Sequence, residues 1–384
     1  KTSLSSLAMW IGKALNAMMP LSEQIWKDVF ATVGINAHGS WVIKNSKQVR
    51  QRMNQMNAAQ ATPNQRCQQT YDFSTMYTQL KLEELKKVMK KYVSMVFAYA
   101  NKAVGKKREK ILRVKARGTL RSPWYLKTEA PGDKDNVKIV TPERLMEWIE
   151  HLLDNLYIQV GDKIVRQKCG IPMGTSCSPF LANLMLFMYE LEAVTDIISK
   201  TDILHEERRR TIWKLAQCTR YIDDLWNPLI SKRAFMEITK RMYPKWLSLG
   251  EPEHEGNAVN YMDMTIWWDG KEKKWQSKLY DKKDELVHKG LKINKFPHPE
   301  SILSENCKYG VITSQLHRYN VACTRNQDLI PAARKLHAAY IHKGYDVAKI
   351  NKYFNRFLLR HAHGREGKTR VCLKHIVAPE RRKW

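Results

Sequence analysis

Three aspartates in two short segments have the type and setting that most directly suggest chemistry. Asp72 ends the stretch Gln69-Thr70-Tyr71-Asp72, which reads as a short strand running up to an acid. Asp223 and Asp224 stand side by side in Thr219-Arg-Tyr-Ile-Asp-Asp-Leu-Trp226, between apolar residues, as in a tight turn joining two short strands. Hard divalent cations prefer carboxylate oxygens, and the ends of strands hold such ligands at fixed spacing. Two cations about 3.5–4 Å apart suit nucleotidyl transfer, one activating a 3′-hydroxyl and the other holding a triphosphate. An isolated acidic pair is more often a solvated turn, so the neighbouring segments must decide.

Three features decide against the solvated turn. Gly170-Ile-Pro-Met-Gly174-Thr-Ser-Cys-Ser-Pro179 is a loop punctuated by Gly and Pro that runs into an apolar helix from about Phe180 to Ile198. Without Cβ atoms, its glycines let backbone approach a base pair closely. Tyr77 follows Asp72 by five residues, where a ring can lie under the sugar of a bound nucleotide. The order is also informative: aspartate strand, Gly-Pro loop with helix, then Tyr-Ile-Asp-Asp. Other residues weigh less. His361 and His363 lack Cys or acid partners and read as nucleic-acid contacts before metal ligands. Asp263 and Asp281 sit at hairpins and read as structural. Trp246, Trp267, Trp268 and Trp275 read as core and hairpin packing.

The elements that must position these groups follow from periodicity. Residues 1–57 are mostly helical and apolar, and 58–70 form a polar connection. A strand ends at Tyr71–Phe73, and a helix from about Lys81 carries Leu82, Leu85, Val88, Met89, Tyr92, Val93 and Val96 at the 3.6-residue period. Residues 102–138 are basic and rich in breakers, an insertion near nucleic acid whose bland alternative is a solvated loop. Thr141-Pro142-Glu143 is a helix start, Thr capping and Pro in the first turn. Tyr157–Val160 and Lys163–Gln167 flank Gly161-Asp162 as a hairpin. A second hairpin is expected from Val259–Trp267, a turn at Asp269-Gly270, and Lys274–Tyr280. From about Ser301 the pattern is helical and basic.

The 384 residues suit two or three subdomains around a cleft. Lys and Arg number 66 against 38 Asp and Glu, a formal net charge of +28. A surface so charged repels itself unless a polyanion lies against it, so nucleic acid is the first partner expected. No run of about 18 apolar residues suggests a membrane span, and no signal peptide is legible. The seven cysteines are scattered without metal-ligand spacing, which fits a reducing compartment. The sequence opens without Met inside a helical pattern and reads as a piece of something longer.

Together the segments resemble a reverse transcriptase, with Asp72–Tyr77 as motif A, Gly170–Pro179 as motif B and Tyr221–Asp224 as motif C. More narrowly, they resemble the reverse transcriptases of Penelope-like retroelements, relatives of telomerase catalytic subunits. Tyr71–Thr78, Gly170–Thr175, Arg220–Asp224, Met262–Ile266, Lys278–Lys282 and Phe296–Pro299 carry that resemblance over roughly residues 36–365. It implies an α+β right-hand polymerase fold, with an antiparallel palm sheet backed by helices, fingers and a helical thumb. Residues 1–70 would be a partial fingers and N-terminal helical region. Residues 71–285 would be the palm with its basic insertion, and 286–384 the basic thumb. The family commonly carries a GIY-YIG endonuclease after the thumb, and the sequence ends at Trp384 without one.

By the same resemblance, Asp72, Asp223 and Asp224 bind two Mg2+ ions, with Mn2+ as an alternative. Phe73, Tyr77, Pro172, Met173, Gly174, Thr175 and Tyr221 surround the incoming dNTP. Tyr77 falls on the position that rejects a 2′-hydroxyl, and Gly174 and Thr175 fall where template base and nucleotide align. Leu279 and Tyr280 belong to a hairpin that grips a DNA primer, while Arg318, Arg325, Arg334 and Lys335 track phosphates. The expected activity is RNA-directed DNA polymerisation on an RNA template, in the nucleus. An RNA-dependent RNA polymerase shares the carboxylates, but Tyr77 argues against it. A catalytically idle nucleic-acid-binding scaffold would not need all three aspartates.

Overall fold

The computed structural model describes residues 3–61, 68–73, 76–102, 109–129, 132–134, 136–200, 206–247, 249–283, 289–291 and 295–361. Ser74 and Thr75 of the motif A stretch, parts of the basic insertion, and His363 with the side chain of His361 lie outside them.

Helix α1 (Ser3–Ala31) buries Ile11, Leu15, Trp26 and Phe30 along one stripe. Then come α2 (Ser46–Ala58), β1 (Gln68–Tyr71), the single turn α3 (Met76–Gln79) and α4 (Leu82–Asn101). The apolar period predicted for α4 is its buried face, from Leu82 through Val96. Strands β2 (Lys110–Lys115), β3 (Trp124–Leu126) and β4 (Val137–Val140) form an antiparallel sheet in the order β3-β2-β4. The basic insertion is therefore structured where described: Ile111, Leu112, Val114, Val137 and Val140 bury, and Gly118, Pro123 and Gly132 fall between strands. The cap predicted for α5 (Pro142–Asp154) is present, the Thr141 hydroxyl accepting the Arg144 N–H at 3.2 Å. Strands β5 (Tyr157–Val160) and β6 (Lys163–Arg166) pair as the expected hairpin and are exposed along their whole length.

Next are α6 (Ser178–Ser199), α7 (Glu206–Leu215), β7 (Thr219–Tyr221), β8 (Asp224–Asn227) and α8 (Lys232–Met242). The C-terminal part holds β9 (His254–Gly256), β10 (Ala258–Tyr261), β11 (Met264–Asp269) and β12 (Lys274–Leu279), then α9 (Glu305–Ala322), α10 (Asn326–His342) and α11 (Val347–His361). Val259–Trp267, expected as one strand, is instead β10, a turn at Met262-Asp263 and most of β11, with Met262 at φ +55°.

The chain divides into two compact units, Lys1–Ile43 with Tyr71–Glu253, and Lys44–Thr70 with His254–Trp384. In the first, α4 packs against α1, α5 and α6. Helix α6 is apolar on most sides and buried accordingly, and its Phe187 lies 6.0 Å from the Trp26 ring centroid. In the second unit, α9, α10 and α11 enclose Ile312, Leu316, Leu329, Leu336, Tyr340 and Phe354. Helix α2 belongs here. Its Arg50 Nη1 donates to the carbonyls of Asn320, Val321 and Cys323 at 2.8, 3.1 and 2.9 Å, satisfying the end of α9 where carbonyls lack helical partners.

Candidate metal centre and active site

Two backbone devices bring the aspartates together within the first unit. Asp72 follows the end of β1, and the next residue, Phe73, donates its N–H to the Asp223 carbonyl at 3.2 Å. Asp223 lies in the two-residue turn between β7 and β8, whose register pairs Tyr221 with Asp224. The turn requires Ile222 at φ +57°, a left-handed conformation that a β-branched residue adopts at a cost of about 1–3 kcal/mol. Asp72, Asp223 and Asp224 each offer a carboxylate oxygen, all within 4.8 Å of one another, and each is half-buried. Hard anionic donors this close, open to solvent on one side, fit a magnesium-type cation in both number and chemistry. Among the described residues no other group of three or more His, Cys, Asp or Glu side chains is so gathered.

Beneath the turn lies a charged cluster that the motif reading passed over. Arg220 and Glu190 are both fully buried, and Arg220 Nε and Nη2 donate to the two Glu190 oxygens at 2.6 and 3.2 Å. Arg220 Nη1 donates to Asn183 Oδ1 at 2.8 Å and to the Ile222 carbonyl at 2.7 Å. The Tyr243 hydroxyl donates to Glu190 Oε1 at 3.0 Å, and burial followed by the Glu190 charge pushes that phenol well above its usual range. The signal was available in the sequence: Glu190 is an acid inside an apolar helix, and Arg220 a base inside an apolar strand.

The Gly-Pro loop is fixed from both sides. Ile171 donates its N–H to the Tyr77 carbonyl at 2.9 Å, and Gly170 donates to Leu80 at 2.7 Å. At Gly170, with φ +78°, a Cβ would stand 2.6 Å from the Tyr77 carbonyl oxygen. The Pro172 carbonyl accepts from the Ser178 hydroxyl at 2.8 Å, and Thr175 also meets Ser178. Met173 is 72% exposed and Gly174 has open space around it. Tyr77, in α3, is half-buried; burial raises its phenol pKa and the Asp223 charge adds to the effect. The loop is thus tied to the Tyr77 carbonyl, and Tyr77 lies near enough to Asp223 for its phenol to feel that charge.

The remaining predicted residues lie in the second unit. Lys278, Leu279, Tyr280, Arg318 and Lys335 line a cavity of about 530 Å³. Arg318 Nε donates to Asp263 at 2.8 Å, and Asp263 also accepts from Ser46. Arg325 pairs with Asp328 at 2.8 Å and stacks 4.7 Å from the Trp267 ring centroid. Arg334 is exposed. Asp281 pairs with Lys295 at 3.0 Å, so both hairpin acids have structural partners.

A mixed helix-and-sheet fold with antiparallel strand pairs, more helical than stranded, carries this site, and it is similar to that of a solved telomerase. The structure of telomerase from Candida albicans with a TWJ fragment of telomeric RNA is similar at TM-score 0.52 and 9% identity, over 93% of this chain and 54% of that one. Apo telomerase from Candida tropicalis matches at TM-score 0.46 and 10% identity, over 98% of this chain and 55% of that one. The chain spans about half the length of these telomerases. By sequence, no known family and no curated protein matches it.

Proposed function

We propose that the chain is the polymerase core of a reverse transcriptase of the Penelope-like retroelement kind. It would extend a DNA primer on an RNA template with dNTPs. The observation that carries this reading is the gathering of Asp72, Asp223 and Asp224 within 4.8 Å, from segments about 150 residues apart. The motif order and the telomerase-like fold support it. On this reading residues 71–285 act as palm, 1–70 as part of the fingers and 286–384 as thumb, in a right-hand arrangement. The chain works in the nucleus.

Asp72, Asp223 and Asp224 would hold two Mg2+ ions, which when bound acidify a primer 3′-hydroxyl and neutralise triphosphate charge. Tyr77 presents its ring beside those carboxylates, where it excludes a ribose 2′-hydroxyl by contact. Phe73 and Tyr221 flank the acids along the backbone and fix where they point. The loop from Pro172 to Thr175 offers an approach for the paired bases at Gly174, where there is open space, with Met173 exposed beside it. Leu279 and Tyr280 hold the primer, and Arg318, Arg325, Arg334 and Lys335 bind phosphates.

The test is extension of a DNA primer on an RNA template, with deoxy- and ribonucleotides compared directly. Extension with dNTPs is expected, and Asp72→Asn or Asp223→Asn should reduce it by about a hundredfold or more while template binding persists. Extension by Asp223→Asn near the parent rate would remove the metal assignment. Equal use of ribonucleotides by the parent would turn the reading toward an RNA polymerase.

A further inference from the structure

The buried cluster under the metal-binding turn does something the aspartates do not. A buried ion pair is a poor device for stability, because desolvation offsets much of the attraction and apolar residues of similar volume often serve as well or better. Here the guanidinium is fully buried and has a third arm, Nη1, on the carbonyl of Ile222, the residue held left-handed at φ +57°. Glu190 fixes the other arms from α6, and Tyr243, just after α8, fixes Glu190. The Tyr243 ring meets Phe73 edge-on at 5.0 Å, and Phe73 returns to the turn through its N–H on the Asp223 carbonyl. The contacts form a closed ring from the turn through α6 and the end of α8 to the residue after Asp72, and back to the turn.

We infer that Arg220, with Glu190 and Tyr243, is a positioning unit that holds the turn in its left-handed conformation and so sets the spacing of Asp223 and Asp224 against Asp72. The inference rests on the proposed function and deepens it. Arg220 touches neither substrate nor cation; it acts on the carboxylates through the Ile222 carbonyl. Its fork geometry suits the task, since one planar group reaches Glu190 with two nitrogens while a third donor serves the turn.

The test uses the full 384-residue chain and a Mn2+ titration read by the electron paramagnetic resonance signal of the free ion. Arg220→Met with Glu190→Leu removes both charges together, so no lone charge is left buried. This double variant should fold with a melting temperature somewhat below the parent's, because the buried Tyr243 hydroxyl loses its acceptor, and should bind Mn2+ about tenfold more weakly. Its kcat should fall while KM for primer–template holds. Adding Ile222→Gly should recover part of the Mn2+ affinity, because glycine adopts positive φ without help. A folded double variant with parent affinity would overturn the inference. If the double variant does not fold, Arg220→Lys serves instead: it keeps the charge beside Glu190 but lacks the fork. It should be folded and weakened about tenfold, and unchanged affinity would again overturn the inference. Failure of both variants to fold would show that the cluster serves stability and would also overturn it. Asp223→Asn, run alongside, separates the two readings. Parent-like Mn2+ binding there defeats the polymerase reading itself, whereas loss there with retention in the Arg220 variants defeats only the positioning role.

Discussion

Tyr77 illustrates how far single residues could be read. Its distance from Asp72 suggested a ring beneath a sugar, and the structure places it half-buried, with Asp223 close enough to perturb its phenol. A 2′-hydroxyl forced against a packed ring costs roughly 1–3 kcal/mol, about a tenfold to hundredfold preference for deoxynucleotides. Tyr77→Ala should therefore admit ribonucleotides and leave deoxynucleotide incorporation largely intact, while Tyr77→Phe should change little. Competition between matched dNTP and rNTP in single-nucleotide extension measures this directly; an unchanged ratio in Tyr77→Ala would end the gate assignment. The aspartates were legible because Tyr77, the Gly-Pro loop and the order of the segments accompany them; alone, the acidic pair reads as a solvated turn. The pairing of Arg220 with Glu190 was not legible, because it joins residues 30 positions apart and each alone shows only a charge in an apolar setting. Only the hydrogen bonds from Arg220 in β7 to Glu190 in α6 show that they face each other.

Among the elements, those with strong local signals came through and those defined by distant partners did not. The Thr141 cap and the α4 stripe need only neighbours in sequence. The Met262-Asp263 turn was missed because methionine gives no turn signal; the conformation is held from outside, by Asp263 accepting from Arg318 and Ser46. The sheet β3-β2-β4 was missed because Gly and Pro between strands outweighed short apolar runs within them. The Gly-Pro loop gives the sharpest prediction at this scale. Gly170→Ala drives a Cβ to 2.6 Å from the Tyr77 carbonyl oxygen, at a backbone angle that disfavours it, whereas Gly174→Ala meets only the backbone penalty. Gly170→Ala should lose roughly 1–3 kcal/mol of stability, and Gly174→Ala less. Urea midpoints at unchanged slope measure the difference; equal midpoints would mean that the loop yields freely at Gly170.

For the whole molecule, composition pointed to a polyanionic partner, and among the described residues no helix is long and apolar enough to cross a membrane. With a net charge of +28, binding to an RNA–DNA duplex should weaken steeply with salt, with a log–log slope of about −4 or steeper if four or more phosphates are contacted. A slope near zero by fluorescence anisotropy would assign the charge another purpose. The division of the chain into units was not legible, because α2 carries no mark of the partners it meets about 200 residues later. That division governs the order in which the units can fold. Residues 44–70 leave the ribosome before residues 71–253 of the first unit, but the rest of their own unit starts at His254. At about 5–20 residues per second, they wait roughly 10–40 s for it. During that interval Val49, Met53 and Met56 have no core to enter, while residues 71–253 of the first unit are being synthesised. The nascent chain is therefore a client for holding chaperones, and slow translation beyond residue 70 lengthens its exposure to them.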